Sequence, residues 1–182
     1  KDNLDLKILN QLGLRRKKND LAEWVRFTER VKNLKKTVHI GVVGKYFNTG
    51  EFTLADSYVS VIEAIKHASW HLGYHPRISW LDAEAYERNP RFIKNLASYD
   101  GIIIPGGFGG RGVEGKIRAV RYAREHKIPY FGLCYGLQMA VIEFARNVCG
   151  LKDAHTTEVN QKTPHPVIDT MPDQLINIKE KR

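Results

Sequence analysis

The chain has 182 residues, two cysteines (Cys134 and Cys149) and a formal net charge of +9. That length suits one domain with a sizeable core plus an appendage; the cysteines are too few for a disulfide scaffold and suit a reducing cytoplasm, and no apolar run approaches the length of a membrane span. The charge excess lies largely in residues 1–36, with 11 basic against 5 acidic side chains and Arg15-Arg-Lys-Lys18 as the densest cluster. So local an excess argues against a nucleic-acid surface and for an anionic nucleotide or an acidic neighbouring domain.

Within that appendage Asp20-Leu-Ala-Glu23 has capping-box spacing. Leu21, Trp24, Val25, Val31 and Leu34 form a helical apolar stripe that needs a covering partner. A strand over 38–43 follows, then Gly44-Lys-Tyr46 and a glycine-bearing loop over 46–53. Periodicity predicts a helix over 54–72 closed by Gly73, a strand over 77–81, a short helix over 83–87 and a strand over 101–104. A helix over 114–125 precedes a strand over 129–133 and a helix from 137 to about 148, stopped by Gly150, beside which Cys149 is expected to be packed. Such alternation predicts an α/β fold: a doubly wound, mostly parallel sheet flanked by helices over 37–182, with residues 1–36 as a partly helical linker.

Two strand ends carry chemistry. The last strand turns sharply into its helix at Gly132-Leu-Cys134-Tyr-Gly136, the cysteine counterpart of a nucleophile elbow. The glycines leave room where a Cβ would crowd the turn, and a helix N-terminus favours the anionic form of a thiol. The strand over 101–104 empties into Pro105-Gly-Gly-Phe-Gly-Gly110, which has no dinucleotide-binding spacing but offers free backbone N–H groups. A thiolate and free N–H groups at neighbouring strand ends make a nucleophile with an oxyanion hole.

The elbow resembles the signature of class I (triad-type) glutamine amidotransferases. Within that class, Pro105-Gly-Gly-Phe-Gly-Gly-Arg-Gly-Val-Glu-Gly115, Met139-Ala-Val-Ile-Glu-Phe-Ala-Arg-Asn-Val148 and Thr163-Pro-His-Pro-Val-Ile-Asp169 resemble the amidotransferase domain of the CTP synthase family, and Gly44-Lys-Tyr46 agrees. The resemblance runs from about 37 to 175. It implies that Cys134 attacks the side-chain amide of glutamine, giving a thioester and ammonia, while the N–H groups of Gly107 and Tyr135 hold the oxyanion. Gln138 and Glu158 would bind the α-carboxylate and α-amino end of L-glutamine. Phe108, Arg111 and Glu114 would contact GTP, an allosteric activator.

The same resemblance implies a larger amino-terminal synthetase domain in the same polypeptide, reached through residues 1–36, where ATP and magnesium serve the amination of UTP to CTP. No cofactor or metal is then expected in this domain, nor a nucleic-acid or membrane partner; a homotetramer is expected of the full-length protein. The family's base and its orienting acid come in a His-Pro-Glu run. Here His75-Pro-Arg77 and His165-Pro-Val167 place no acid after the proline, and His155 reads as a surface loop residue. The domain is therefore expected to be incomplete at its carboxyl end and inactive alone. An amidotransferase unit of another synthase, of GMP or anthranilate type, and a non-catalytic glutamine- or nucleotide-binding regulatory domain are the alternatives.

Overall fold

Val42, Val43, Ile102 and Ile104 are at most 1% exposed and lie on the two central strands of a four-stranded sheet. The computed structural model describes residues 3–15, 21–44, 58–171 and Gln174. Arg16 to Lys18, Lys45 and Tyr46, the loop over 46–53 and residues 54–57 of the expected helix lie outside the described residues. The chain divides into two units, Lys1–Lys35 and Lys36–Arg182.

The first unit holds helices α1 (Leu4–Gln11) and α2 (Ala22–Lys32), neither of which buries a residue. Leu21, Trp24 and Val25 stand exposed, an apolar stripe without cover inside its own unit. The residue at the cap of α2 is Leu21, with no side-chain cap hydrogen bond, and Asp20, which begins the expected capping box, lies outside the described residues.

In the second unit, strands β1 (Lys36–Gly44), β2 (Tyr74–Asp82), β3 (Gly101–Ile104) and β4 (Tyr130–Gly132) pair in the order β2-β1-β3-β4, all parallel. The order reverses direction between β1 and β3, which makes the fold doubly wound. Alternation along each strand assigns the two faces. Ile40, Val42, Ile78, Trp80 and Ile103 cluster with Tyr58 and with Val61 and Ile65 of α3 (Val59–His71). Val43, Leu81, Ile102 and Ile104 join the opposite core. That core is built with α4 (Ala83–Arg88), a 3₁₀ stretch over Pro90–Ser98, α5 (Val113–Glu125) and α6 (Tyr135–Asn147).

Helices α5 and α6 are joined by two ion pairs. Arg124 grips the fully buried Glu143 with contacts of 2.8 and 3.0 Å, and Arg146 grips Glu114 at 2.9 and 3.0 Å. A small parallel pair, β5 (Ala154–Thr156) and β6 (His165–Ile168), follows α6 and was not expected from the sequence. Arg146 Nε donates to the Ala154 carbonyl at 2.7 Å, which ties β5 to α6. Cys149 is exposed rather than packed, because α6 ends at Asn147 and the chain leaves the core beyond its Val148 cap. No helix among the described residues is long and apolar enough to cross a membrane.

Candidate active site

The turn from β4 into α6 is anchored to the neighbouring strand: Leu133 N–H donates to the Ile104 carbonyl at 2.9 Å. The next residue, Cys134, has φ 51° and ψ −104°, a conformation in which a side chain is strained, and it is exposed. Both flanking glycines are required by close approach. A Cβ on Gly132 would lie 2.6 Å from Gly136 C and Leu137 N, and one on Gly136 would overlap the Ile104 carbonyl oxygen. Tyr130 further fixes the turn by donating its hydroxyl to the Gly136 carbonyl at 2.7 Å. As first residue of α6, Tyr135 has a backbone N–H without an intrahelical acceptor.

The glycine-rich loop after β3 lies against this elbow. A Cβ on Gly106 would sit 3.7 Å from Cys134 Cβ, and one on Gly107 would sit 3.9 Å from the Tyr135 ring and 3.8 Å from Lys116 Nζ. Lys116 is buried, with its ammonium 4.9 Å from the centre of the Tyr135 ring. The Tyr135 hydroxyl donates to the Gly109 carbonyl at 2.7 Å, and Gly109 N–H donates to Glu158 Oε1 at 2.7 Å. Burial, and then the Glu158 charge, push the Tyr135 phenol up to about 12, so it stays a proton donor through the neutral range. Gln138 stands in the first turn of α6, its N–H donating to the Cys134 carbonyl at 3.2 Å. Its Oε1 is buried and has no hydrogen-bond partner, an acceptor left over by the fold.

The structure thus brings Gly107, Cys134 and Tyr135 together and ties Glu158 to the same loop. The other three candidates are placed differently. Phe108 is 69% exposed on the loop. Arg111 is bonded to Glu84 through Nε at 3.0 Å and Nη2 at 2.6 Å. Glu114 is held by Arg146 and lies 3.8 Å from His155 Nε2. His155 is buried in β5, not on a surface loop. Its Nδ1 accepts from Thr156 N–H at 2.9 Å, and burial and the Arg146 charge lower its pKa against the opposing pull of Glu114. Two side chains of the site escaped the sequence reading, Lys116 and the Tyr135 phenol. A signal existed for the first: Lys116 falls on the stripe Val113, Ile117, Val120 that turns α5 to the core.

The chain is similar to known proteins over most of its length. The model of the family described as "Glutamine amidotransferase class-I" matches residues 53–181. A CTP synthase from Carboxydothermus hydrogenoformans is 51% identical over 173 residues, covering 95% of this chain and 31% of the relative. One from Thermococcus gammatolerans is 49% identical over 174 residues, with 96% and 31% covered. The chain therefore spans about 31% of the length of these curated relatives. Among solved structures, the glutaminase domain of Trypanosoma brucei CTPS with bound acivicin superposes with a TM-score of 0.68 at 41% identity. The match covers 75% of this chain and 51% of that one.

Proposed function

Because the chain belongs to the class-I glutamine amidotransferase family, we propose that it is the glutamine-hydrolysing part of a CTP synthase. The observation that carries this reading is the strained, exposed Cys134 with the glycine loop lying against it. Cys134 Sγ, as thiolate, attacks the carboxamide carbon of L-glutamine and forms a C–S bond. The oxyanion that develops is held by the N–H groups of Gly107 and Tyr135; one such donor is typically worth on the order of 3 kcal/mol. The C–N bond then breaks, ammonia leaves with an added proton, and water cleaves the glutamyl thioester to glutamate and free thiol.

Gln138 and Glu158 hold the α-carboxylate and α-amino end of the substrate. What supports the pair is position: Gln138 stands in the first turn of the helix that follows Cys134, and Glu158 is bonded to the loop beside it. The base is the open role. His155 is engaged by Thr156 and Glu114, and the 182 residues contain no His-Pro-Glu run. The polypeptide of these residues alone therefore has negligible glutaminase turnover.

In the same reading, residues 1–36 link to a synthetase domain that binds ATP, magnesium and UTP, in a cytoplasmic homotetramer. GTP activates through Phe108, Arg111 and Glu114. Since Arg111 and Glu114 are paired with Glu84 and Arg146, GTP must exchange or extend those ion pairs. The test is covalent capture with the chloroketone analogue of glutamine, followed by intact-mass and peptide analysis. Labelling at Cys134 rather than Cys149, slowed by L-glutamine, supports the reading. Labelling that ignores glutamine, or that favours Cys149, sinks it.

A further inference from the structure

The loop Pro105-Gly-Gly-Phe-Gly-Gly110 is built against its own task. Four of its six residues are glycines, each with more backbone freedom to lose than any other residue type, and Phe108 is largely exposed. An oxyanion donor stabilises a transition state only when it is held in place beforehand. Something must hold this loop, and the contacts around Gly109 supply the hold.

Gly109 is bound on both sides. Its N–H donates to the Glu158 carboxylate at 2.7 Å, and its carbonyl accepts the Tyr135 hydroxyl at 2.7 Å. Tyr135 is itself immobilised: it is 1% exposed, and its ring faces the ammonium of Lys116, which is 2% exposed. A buried ammonium is costly to desolvate, and an aromatic face returns part of that cost while fixing where both groups sit. The same Lys116 Nζ lies beside the backbone of Gly107.

We propose that the Tyr135 side chain is a positioning residue of the oxyanion site. Its phenol, seated against Lys116, pins the Gly109 carbonyl and thereby holds Gly106 and Gly107 against Cys134. The proposal rests on the glutaminase reading above and adds a residue to it. Tyr135 then serves twice, its backbone N–H as one oxyanion donor and its side chain as the brace that places the other. Lys116 acts one step further back, through the ring.

The test compares two reagents on Cys134 in the full 182-residue chain and its Tyr135→Phe variant, which removes only the hydroxyl. The chloroketone analogue of glutamine places a ketone oxygen in the oxyanion site, whereas iodoacetamide alkylates the thiolate by direct displacement of iodide and develops no oxyanion. The variant is expected to react about tenfold more slowly with the chloroketone and within about twofold of the parent with iodoacetamide. Amide hydrogen exchange in residues 106–110 is expected to accelerate in the variant while exchange in α5 stays unchanged. Equal slowing with both reagents, or no slowing with either, overturns the proposal. If Tyr135→Phe does not fold, Lys116→Met decides by the same ratio, and an unchanged ratio there also overturns it. A parent chain whose Cys134 reacts no faster with the chloroketone than Cys149 overturns the nucleophile reading itself, and this proposal with it.

Discussion

The two faces of the sheet are built to different depths. On the α5–α6 face, buried residues from four helical segments and three strands join one cluster, from Leu81 and Tyr86 to Met139 and Ile142. On the α3 face the buried cluster among the described residues is Val42, Tyr58 and Ile65. There an apolar groove lined by Val61, Ala64, Ile103, Phe131 and Leu133 stays open among the described residues. The candidate site hangs from the deep face: Tyr135 and Met139 belong to its core, and Gly136 abuts Ile104. Dense packing transmits small displacements instead of absorbing them, so a strained cysteine keeps its geometry there and would relax over the thinner face.

The sharpest way to break that comparison is Gly136→Ala. Its Cβ would overlap the Ile104 carbonyl, and neither backbone can retreat from a packed helix–strand contact. We expect a loss of about 3 kcal/mol or more in urea unfolding, together with loss of selective Cys134 labelling. A variant that stayed near parental stability would mean that the elbow yields. Next come paired truncations, one on each face. Ile142→Ala, at 0% exposure in the deep core, should cost about 3–4 kcal/mol, and Ile65→Ala, beside the open groove, about 1–2 kcal/mol. Equal costs would remove the distinction between the faces.

The smallest effect is a pH dependence. The folded chain keeps His155 below its ordinary value of 6.5, so on acidification the unfolded chain takes up its proton first. Stability from this group is fully present above about 6.5 and is lost as pH falls from there through the folded value. His155→Gln should flatten that part of the stability–pH curve relative to the parent. An unchanged slope would show that β5 admits the imidazolium freely.

What could be seen from the sequence follows from how local its cause is. The strand over 101–104 is legible because Ile102, Ile103 and Ile104 run uninterrupted between Asp100 and Pro105. The elbow is legible because close backbone contact demands glycine at both 132 and 136. By contrast, α1 has no buried face and Asn3 gives it no side-chain cap, so nothing announced it. β5 is three residues long, with His155 and Thr156 in a stretch that looks like a polar loop. Its burial depends on Arg146 reaching across from α6. The partner of Arg111, Glu84, lies 27 residues away, and no local pattern links them. Most of the site's chemistry was thus visible, and most of its mechanical support was not.

The central position of β1 has a consequence in time. Although it precedes the other strands of its sheet, β1 closes against β3 only when His39 and Asp100, 61 residues apart, exchange their hydrogen bonds. Pairings over such separations form slowly because the loop between them must first be ordered. Leu133 in turn needs the Ile104 carbonyl that β3 supplies. The strained geometry of Cys134 thus rests on a sheet pairing that spans 61 residues of chain.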